Sequence, residues 1–172
     1  DGVGRVDDPA DLGREGQDGY GRPALKEWLA AHPKVQLGTF AEAAAHGSLL
    51  VNATSGTGAL QALKLAGEGH LNGKVMLDIS NPLDFSKGMP PSLSVCNTDS
   101  LGEQIQRAFP QLKVVKGLNT LTSFLMVAPR MPPDTHHIFL CGNDAGAKGE
   151  VRPLLSSFGW AGEEMIDLGD IT

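Results

Sequence analysis

"KVMLDISNPLDF", residues 74–85, decides how the chain is read. An apolar run from Val75 to Ile79, broken only by Asp78, stops at Ser80-Asn81-Pro82. The run is too short for a helix and does not alternate. It ends on a proline, which cannot donate to a sheet ladder. Those features together predict a strand buried on both faces. Outward from this stretch the same pattern recurs. "KVQLG" (34–38), "SLLVNAT" (48–54), "LKVVKGL" (112–118), "HHIFLCG" (136–142) and "EEMIDLG" (163–169) are also predicted strands.

The segments between them have helical character. "RPALKEWLAAHP" (22–33) places Leu25, Trp28 and Leu29 at i, i+3, i+4 and stops at Pro33. "TFAEAAAHG" (39–47) opens on a Thr39-x-x-Glu42 capping box and closes on glycine. Helices are also predicted over 58–69, from Ser100 to Phe109 with a Ser100-x-x-Glu103 box, over 120–128, and over 144–160 with a kink at Pro153. Residues 81–99, with three prolines, read as a long loop. The first 24 residues are polar and Gly-rich and show no clear period. Strict alternation of strand and helix is the pattern of an α/β fold: a doubly wound, mainly parallel sheet with helices on both faces.

Composition narrows the function classes. The net charge of −6 does not favour nucleic acid or an anionic membrane surface, and aromatics at 5% are too few for a base-stacking platform. No apolar run approaches the ~20 residues of a membrane helix, and "DGVGRVDDPADLG" (1–13) has no apolar centre of the signal-peptide kind. Cys96 and Cys141 form neither a CxxC nor a zinc spacing, and are expected as buried, reduced thiols of a cytoplasmic protein. The adjacent His136 and His137 point to opposite faces if in a strand, so no metal site is expected. His32, His46 and His70 fall near predicted helix ends, where a cation favours the dipole.

In an open α/β sheet, ligands bind outside the carboxyl ends of the strands. The residues there are Asn52-Ala53-Thr54-Ser55-Gly56, Ser80-Asn81-Pro82, Gly117-Leu118-Asn119-Thr120 and Gly142-Asn143-Asp144. They are rich in hydrogen-bonding groups, with no cysteine nucleophile, histidine or carboxylate pair, so no catalytic residue is assigned. "TSGTGAL" (54–60) opens a helix directly after a strand, where free amides could face a phosphate. It lacks the Lys-Ser/Thr of a P-loop, and Ser55 or Thr57 as an ordinary N-cap explains it equally. Asp78, inside an apolar run, is read as capping a neighbouring loop or helix.

The strand ends "VNAT", "DISNPLDF" and "VVKGLNT", followed by "FLCGNDAGAK" and "MIDLGDI", occur in an order that resembles the NADP-binding oxidoreductases related to the NADPH-dependent reductase of coenzyme F-420. The resemblance spans about residues 34 to 172. It implies one NAD(P)-binding Rossmann-like domain over 1–172, partial at both ends. NADP, or NAD, would be the cofactor, with coenzyme F-420 or a flavin as the hydride acceptor. Asn52, Ala53, Thr54, Ser55 and Gly56 would lie along the cofactor. Ser80, Asn81 and Pro82 would border its nicotinamide, and Asn119 and Thr120 the hydride-transfer pocket. Direct hydride transfer between stacked rings needs position and electrostatics more than an acid or base.

Many relatives are dimers, so a homodimer is a further expectation, and the apolar Phe85, Met89, Leu93 and Val95 would cover the acceptor pocket or meet a partner subunit. The alternative reading is a nucleotide-binding or regulatory subunit without its own turnover. The family opens with a strand and a G-x-G-x-x-G turn. "DGVGR" (1–5) resembles the tail of that fingerprint and "DDPADL" (7–12) the adenosine-phosphate turn, with Asp7 where a basic residue is expected and Arg5 or Arg14 as substitutes. The first βαβ unit is therefore expected to be incomplete. A longer parent protein is the leading explanation, ahead of a strand supplied by another chain or a relative that no longer binds nucleotide.

Overall fold

The computed structural model describes residues 25–131 and 133–172. Residues 1–24, with Arg5, Arg14 and the expected remnant of the glycine fingerprint, lie outside the described residues. The first half of the described chain runs α1 (Leu25–Ala31), α2 (Phe40–His46), β1 (Leu49–Asn52), α3 (Ala59–Ala66), α4 (Glu68–Leu71) and β2 (Val75–Asp78). Then come β3 (Leu83–Asp84), β4 (Ser92–Leu93), α5 (Leu101–Ala108), β5 (Lys113–Gly117), α6 (Ser123–Val127), β6 (Ile138–Cys141), α7 (Ala145–Ser157) and β7 (Met165–Asp167).

All four residues of β2 are buried, as the continuous apolar run predicted. The reason is its position: β2 sits between β1 and β5 in a five-stranded sheet of order β1-β2-β5-β6-β7. Side chains alternate across the sheet. Met76, Val114 and the half-buried Leu50 pack on one face with Leu63 and Ala66 of α3 and Ile105 of α5. Val75, Leu77, Val115, Ile138 and Leu140 pack on the other with Val151 and Leu155 of α7, Trp160 and Met165. Helices thus cover both faces, and the fold is a Rossmann-like α/β sandwich.

The sheet is mixed. β1, β2 and β5 are mutually parallel, β6 runs antiparallel to β5, and β7 is parallel to β6. Residues 118–137, with the five-residue α6 among them, lead from the end of β5 into β6, which starts at that same end and runs back alongside β5. The 13 residues of α7 span about 20 Å, enough for a parallel crossover to β7. The helix continues through Pro153.

Local signals worked where the backbone alone decides. Thr39 caps α2 with the expected reciprocal pair, its hydroxyl accepting from the Glu42 amide at 3.2 Å and its own amide donating to Glu42 Oε2 at 2.7 Å. The Ser100 box forms only half: the hydroxyl accepts from the Glu103 amide at 3.1 Å, but the Ser100 amide donates to Asp99 instead. Asp99 is held there by two bonds from Arg107 and one from Gln104, which lower its pKa to about 2.

Residues 34–38 form no strand, because no strand among the described residues lies beside them. Residues 81–99 are not a plain loop but hold the antiparallel hairpin β3–β4, pairing Leu83 with Leu93 and Asp84 with Ser92. Its turn is made by Asp84 Oδ1 accepting from the Ser86 amide at 2.8 Å and by Gly88 at φ +87°. The expectation of two buried thiols is wrong for Cys96, which is exposed; Cys141 is half-buried, and both are free. His136 and His137 precede β6. His136 meets Trp160 edge-on with ring centroids 5.2 Å apart. His32 and His70 bond the carbonyls of Trp28 and Ala66 through Nδ1.

Arg130 fastens the segment after α6 to the turn before β7. Its guanidinium donates to both Glu164 oxygens, at 2.5 and 2.6 Å, and to the Gly159 carbonyl at 2.9 Å. Glu164 also accepts from the Ala161 amide at 2.8 Å. The arginine, then that amide, lower its pKa from 4.5 to about 2. A carboxyl whose folded pKa is depressed stabilises the fold above its unfolded value and loses that contribution as pH falls through the folded value. The thermal midpoint of Glu164→Gln should therefore lie below that of the unsubstituted protein at pH 6, and the two curves should converge between pH 4.5 and 2. Leu77, with 0% of its surface exposed at the centre of β2, makes a second test. Leu77→Ala should cost about 2–5 kcal/mol, read as a lower urea midpoint at unchanged slope.

Candidate functional site

Residues at the carboxyl ends of the three parallel strands form a row. Register pairs Asn52 with Asp78 and Asp78 with Lys116. Asp78 has 0% exposure, and a carboxylate there needs every oxygen satisfied. Oδ1 accepts from Asn52 Nδ2 at 2.8 Å, Ser80 Oγ at 2.7 Å and the Ser80 amide at 3.2 Å. Oδ2 accepts from Lys116 Nζ at 2.8 Å, and the same ammonium donates to the Ser80 carbonyl. Both oxygens of the Asp78 carboxylate are engaged by protein donors, so the group serves structure. It does fasten a neighbouring loop, and it does so as an ion pair.

Asn52 passes the arrangement outward. Its Oδ1 accepts from Thr54 Oγ1 at 2.7 Å and from the Thr54 amide at 3.3 Å, which starts the 53–58 turn. Ala53 is exposed and Thr54 half-buried. Ser55 and Thr57 are exposed and bond each other at 3.0 Å. Neither caps α3: the N-cap position is Gly58, with no side-chain bond. The ordinary capping explanation of "TSGTGAL" is thereby removed.

Gly56 is buried against the second loop. A Cβ on it would lie 2.2 Å from the Asn81 carbonyl oxygen and 2.6 Å from the Pro82 nitrogen, so only glycine fits. Asn81 then reaches the third loop, with Nδ2 donating to the Asn119 carbonyl at 2.6 Å and Oδ1 accepting from Asn119 Nδ2 at 3.4 Å. Asn119 is brought there by Leu118, whose φ of +62° is a left-handed conformation that costs a non-glycine residue about 1–2 kcal/mol. The Leu118 side chain, buried with Val115 and Leu140 on the sheet face covered by α7, pins it. Pro82 is half-buried and its carbonyl accepts from the Ser94 amide at 2.8 Å, which ties the hairpin to the site. Thr120 is exposed beside Asn119.

The structure therefore brings together ten residues named from sequence: Asn52, Ala53, Thr54, Ser55, Gly56, Ser80, Asn81, Pro82, Asn119 and Thr120 lie on three loops joined in a row. It separates Gly142-Asn143-Asp144 from them. Because β6 is reversed, these residues lie at the opposite edge of the sheet, where Lys113 and Asp144 pair at 3.2 Å. Asp144 caps α7 by accepting from the Ala147 amide at 2.8 Å, and Asn143 Oδ1 accepts from the Ile171 amide at 3.0 Å. Both are structural.

Sequence reasoning assigned no role to Lys116. The available signal was a lysine between Val115 and Gly117 of a buried strand, matched by an aspartate at the end of another. Cys141 lies opposite Lys116 in the ladder, and burial pushes its thiol pKa up, so it is a protonated, poor nucleophile. The donor set consists of amides, hydroxyls and backbone groups. It suits a polar ligand with hydroxyl and carboxamide groups, as a nicotinamide riboside end has, and offers no acid–base pair.

Removing Asp78 alone strands a buried ammonium together with the Asn52 and Ser80 donors. Asp78→Ala should cost about 3–5 kcal/mol, measured by chemical denaturation.

No protein-family model matches the chain, and no curated protein matches it. Among solved structures, a protein from Arthrobacter sp. FB24, provisionally assigned as an F-420-dependent NADP-reductase, is 51% identical with a TM-score of 0.86, covering 98% of this chain and 73% of that one. A hypothetical protein from Sinorhizobium meliloti is 24% identical with a TM-score of 0.66, covering 84% of this chain and 69% of its own. An imine reductase from Myxococcus stipitatus, solved with NADP+, is 16% identical with a TM-score of 0.58, covering 94% of this chain and 50% of that one. The last two share the fold. The identity to the first, over nearly the whole chain, carries more: this chain belongs to the family of NADP-binding oxidoreductases related to the NADPH-dependent reductase of coenzyme F-420.

Proposed function

We propose that the chain transfers hydride between NADP(H) and a flavin-like or deazaflavin acceptor of the coenzyme F-420 type. The observation that carries this reading is the row of three strand-end loops, bridged by Gly56 against Asn81 and by Asn81 to Asn119, with hydrogen-bonding groups throughout and its only carboxylate tied up. The assignment of the Arthrobacter protein supports the same chemistry. When bound, the nicotinamide supplies the hydride. The chain's own residues supply position: Asn52 to Gly56 run along the cofactor, Ser80, Asn81 and Pro82 border the nicotinamide, and Asn119 and Thr120 border the hydride-transfer pocket. No proton has to move between side chains, so the lack of an acid–base pair is no obstacle.

The assembly that fits is a cytoplasmic homodimer of one-domain subunits. Phe85, Met89 and Leu93 are exposed on and beside the hairpin next to the site, which supports an interface there. Among the described residues no helix is long and apolar enough to cross a membrane.

Titration with NADPH and NADH, followed by nicotinamide fluorescence, tests the cofactor; NADPH oxidation by F-420 or FMN tests the acceptor. Saturable NADPH binding with acceptor reduction is expected. Binding without reduction of either acceptor would favour a nucleotide-binding subunit, and no binding to either nucleotide would overturn the reading. Gly56→Ala should weaken NADPH binding at least tenfold, because the added methyl must displace the Asn81 carbonyl. Phe85→Asp should turn a dimer into a monomer in sedimentation.

A further inference from the structure

We propose that Lys116 is a positioning residue for the nicotinamide end of the site, acting through Ser80 and Asn81 and not by touching the ligand. The proposal rests on the hydride-transfer reading above. The Lys116 side chain is 14% exposed, and its ammonium is engaged inward, on Asp78 Oδ2 and the Ser80 carbonyl. Among the described residues, Ser80 bonds the side chains of both members of the pair. Its amide and hydroxyl go to the aspartate, and its carbonyl takes the ammonium. All three polar groups of one residue are thus fixed by two opposite charges from adjacent strands.

The next residue carries the effect to both neighbouring loops. The Asn81 side chain bonds the Asn119 carbonyl, and the Asn81 carbonyl lies where only a glycine at 56 leaves room. A shift at Ser80 must therefore move the contacts of all three loops.

The pair is poorly explained by stability alone. Desolvating two charges offsets most of their attraction, and replacing a buried pair as a unit is often neutral. What a neutral replacement loses is direction: an ion pair with hydrogen bonds holds Ser80 in one orientation, whereas apolar or amide substitutes leave its carbonyl without that donor.

The test uses Lys116→Met with Asp78→Asn, so that no lone charge is buried, and Lys116→Arg as the conservative variant. Two readouts apply: the side-chain amide NMR signals of Asn52 and Asn81 in the protein without ligand, and the NADPH Kd by fluorescence. The expected result for the double variant is a cooperative thermal transition, Asn81 amide signals lost or broadened, and a Kd raised at least tenfold. A hydride-transfer rate lower by about 100-fold is also expected, as for misplacement by about 1 Å. Lys116→Arg should recover part of the signals and of the affinity. A folded double variant with Asn81 signals unchanged and Kd within twofold overturns the proposal. Failure of the double variant to fold also overturns it, since the pair would then serve stability. If the unsubstituted protein binds no NADPH, the functional reading falls, and the amide signals alone decide whether Lys116 positions the turn.

Discussion

The buried pair between Asp78 and Lys116 is the constraint on which the rest of the site depends. Each charge stands at or next to the carboxyl end of its strand, and neither could be buried without the other. Parallel register places them side by side, with Asn52 next in the row. Once they meet, the remaining oxygen capacity of the carboxylate is filled by the nearest donors, which belong to Asn52 and Ser80. The loops that leave β1 and β2 are thereby oriented at their first residues, before any ligand is considered.

Strand direction divides the labour between the two edges of the sheet. β1, β2 and β5 end at one edge, where the side chains link three loops of the candidate site. β6 and β7 end at the other, where polar groups close the structure. There Lys148 donates to Asp167 Oδ1 at 2.7 Å and to the Gly169 carbonyl at 2.8 Å, and Gly142 packs so tightly that a Cβ would lie 2.5 Å from the Val114 carbonyl. The same residue types, asparagine, aspartate and glycine after a strand, form the candidate site at one edge and brace the fold at the other. Composition cannot distinguish the two uses; topology does.

Much of the fold was legible because its signals are local. A continuous apolar run marks a strand covered on both sides, and five of the six runs read as strands are strands. The capping box at Thr39 involves residues three apart and needs no tertiary information. The failures share the opposite property. "KVQLG" has strand composition, but a strand exists only beside a partner, and none is described there. The Ser100 box was broken by Asp99, itself held by Arg107 eight residues away along the chain. The hairpin in 81–99 depends on Leu83 meeting Leu93 across a turn that no hydrophobic period announces.

By itself the sequence determined which segments are buried, where they end, and which hydrogen-bonding residues stand just past them, since burial and chain breaks are written in side-chain type and in proline and glycine. Family membership followed from the order of those strand ends. Only the tertiary structure decided that β6 runs backwards, that Gly142 to Asp144 leave the site, that Leu118 is forced into a left-handed turn, and that Lys116 finds Asp78 across 38 positions. These outcomes depend on strand direction, sheet register and the cost of a buried unpaired charge. Each is a property of two distant segments together, and neither segment carries it alone.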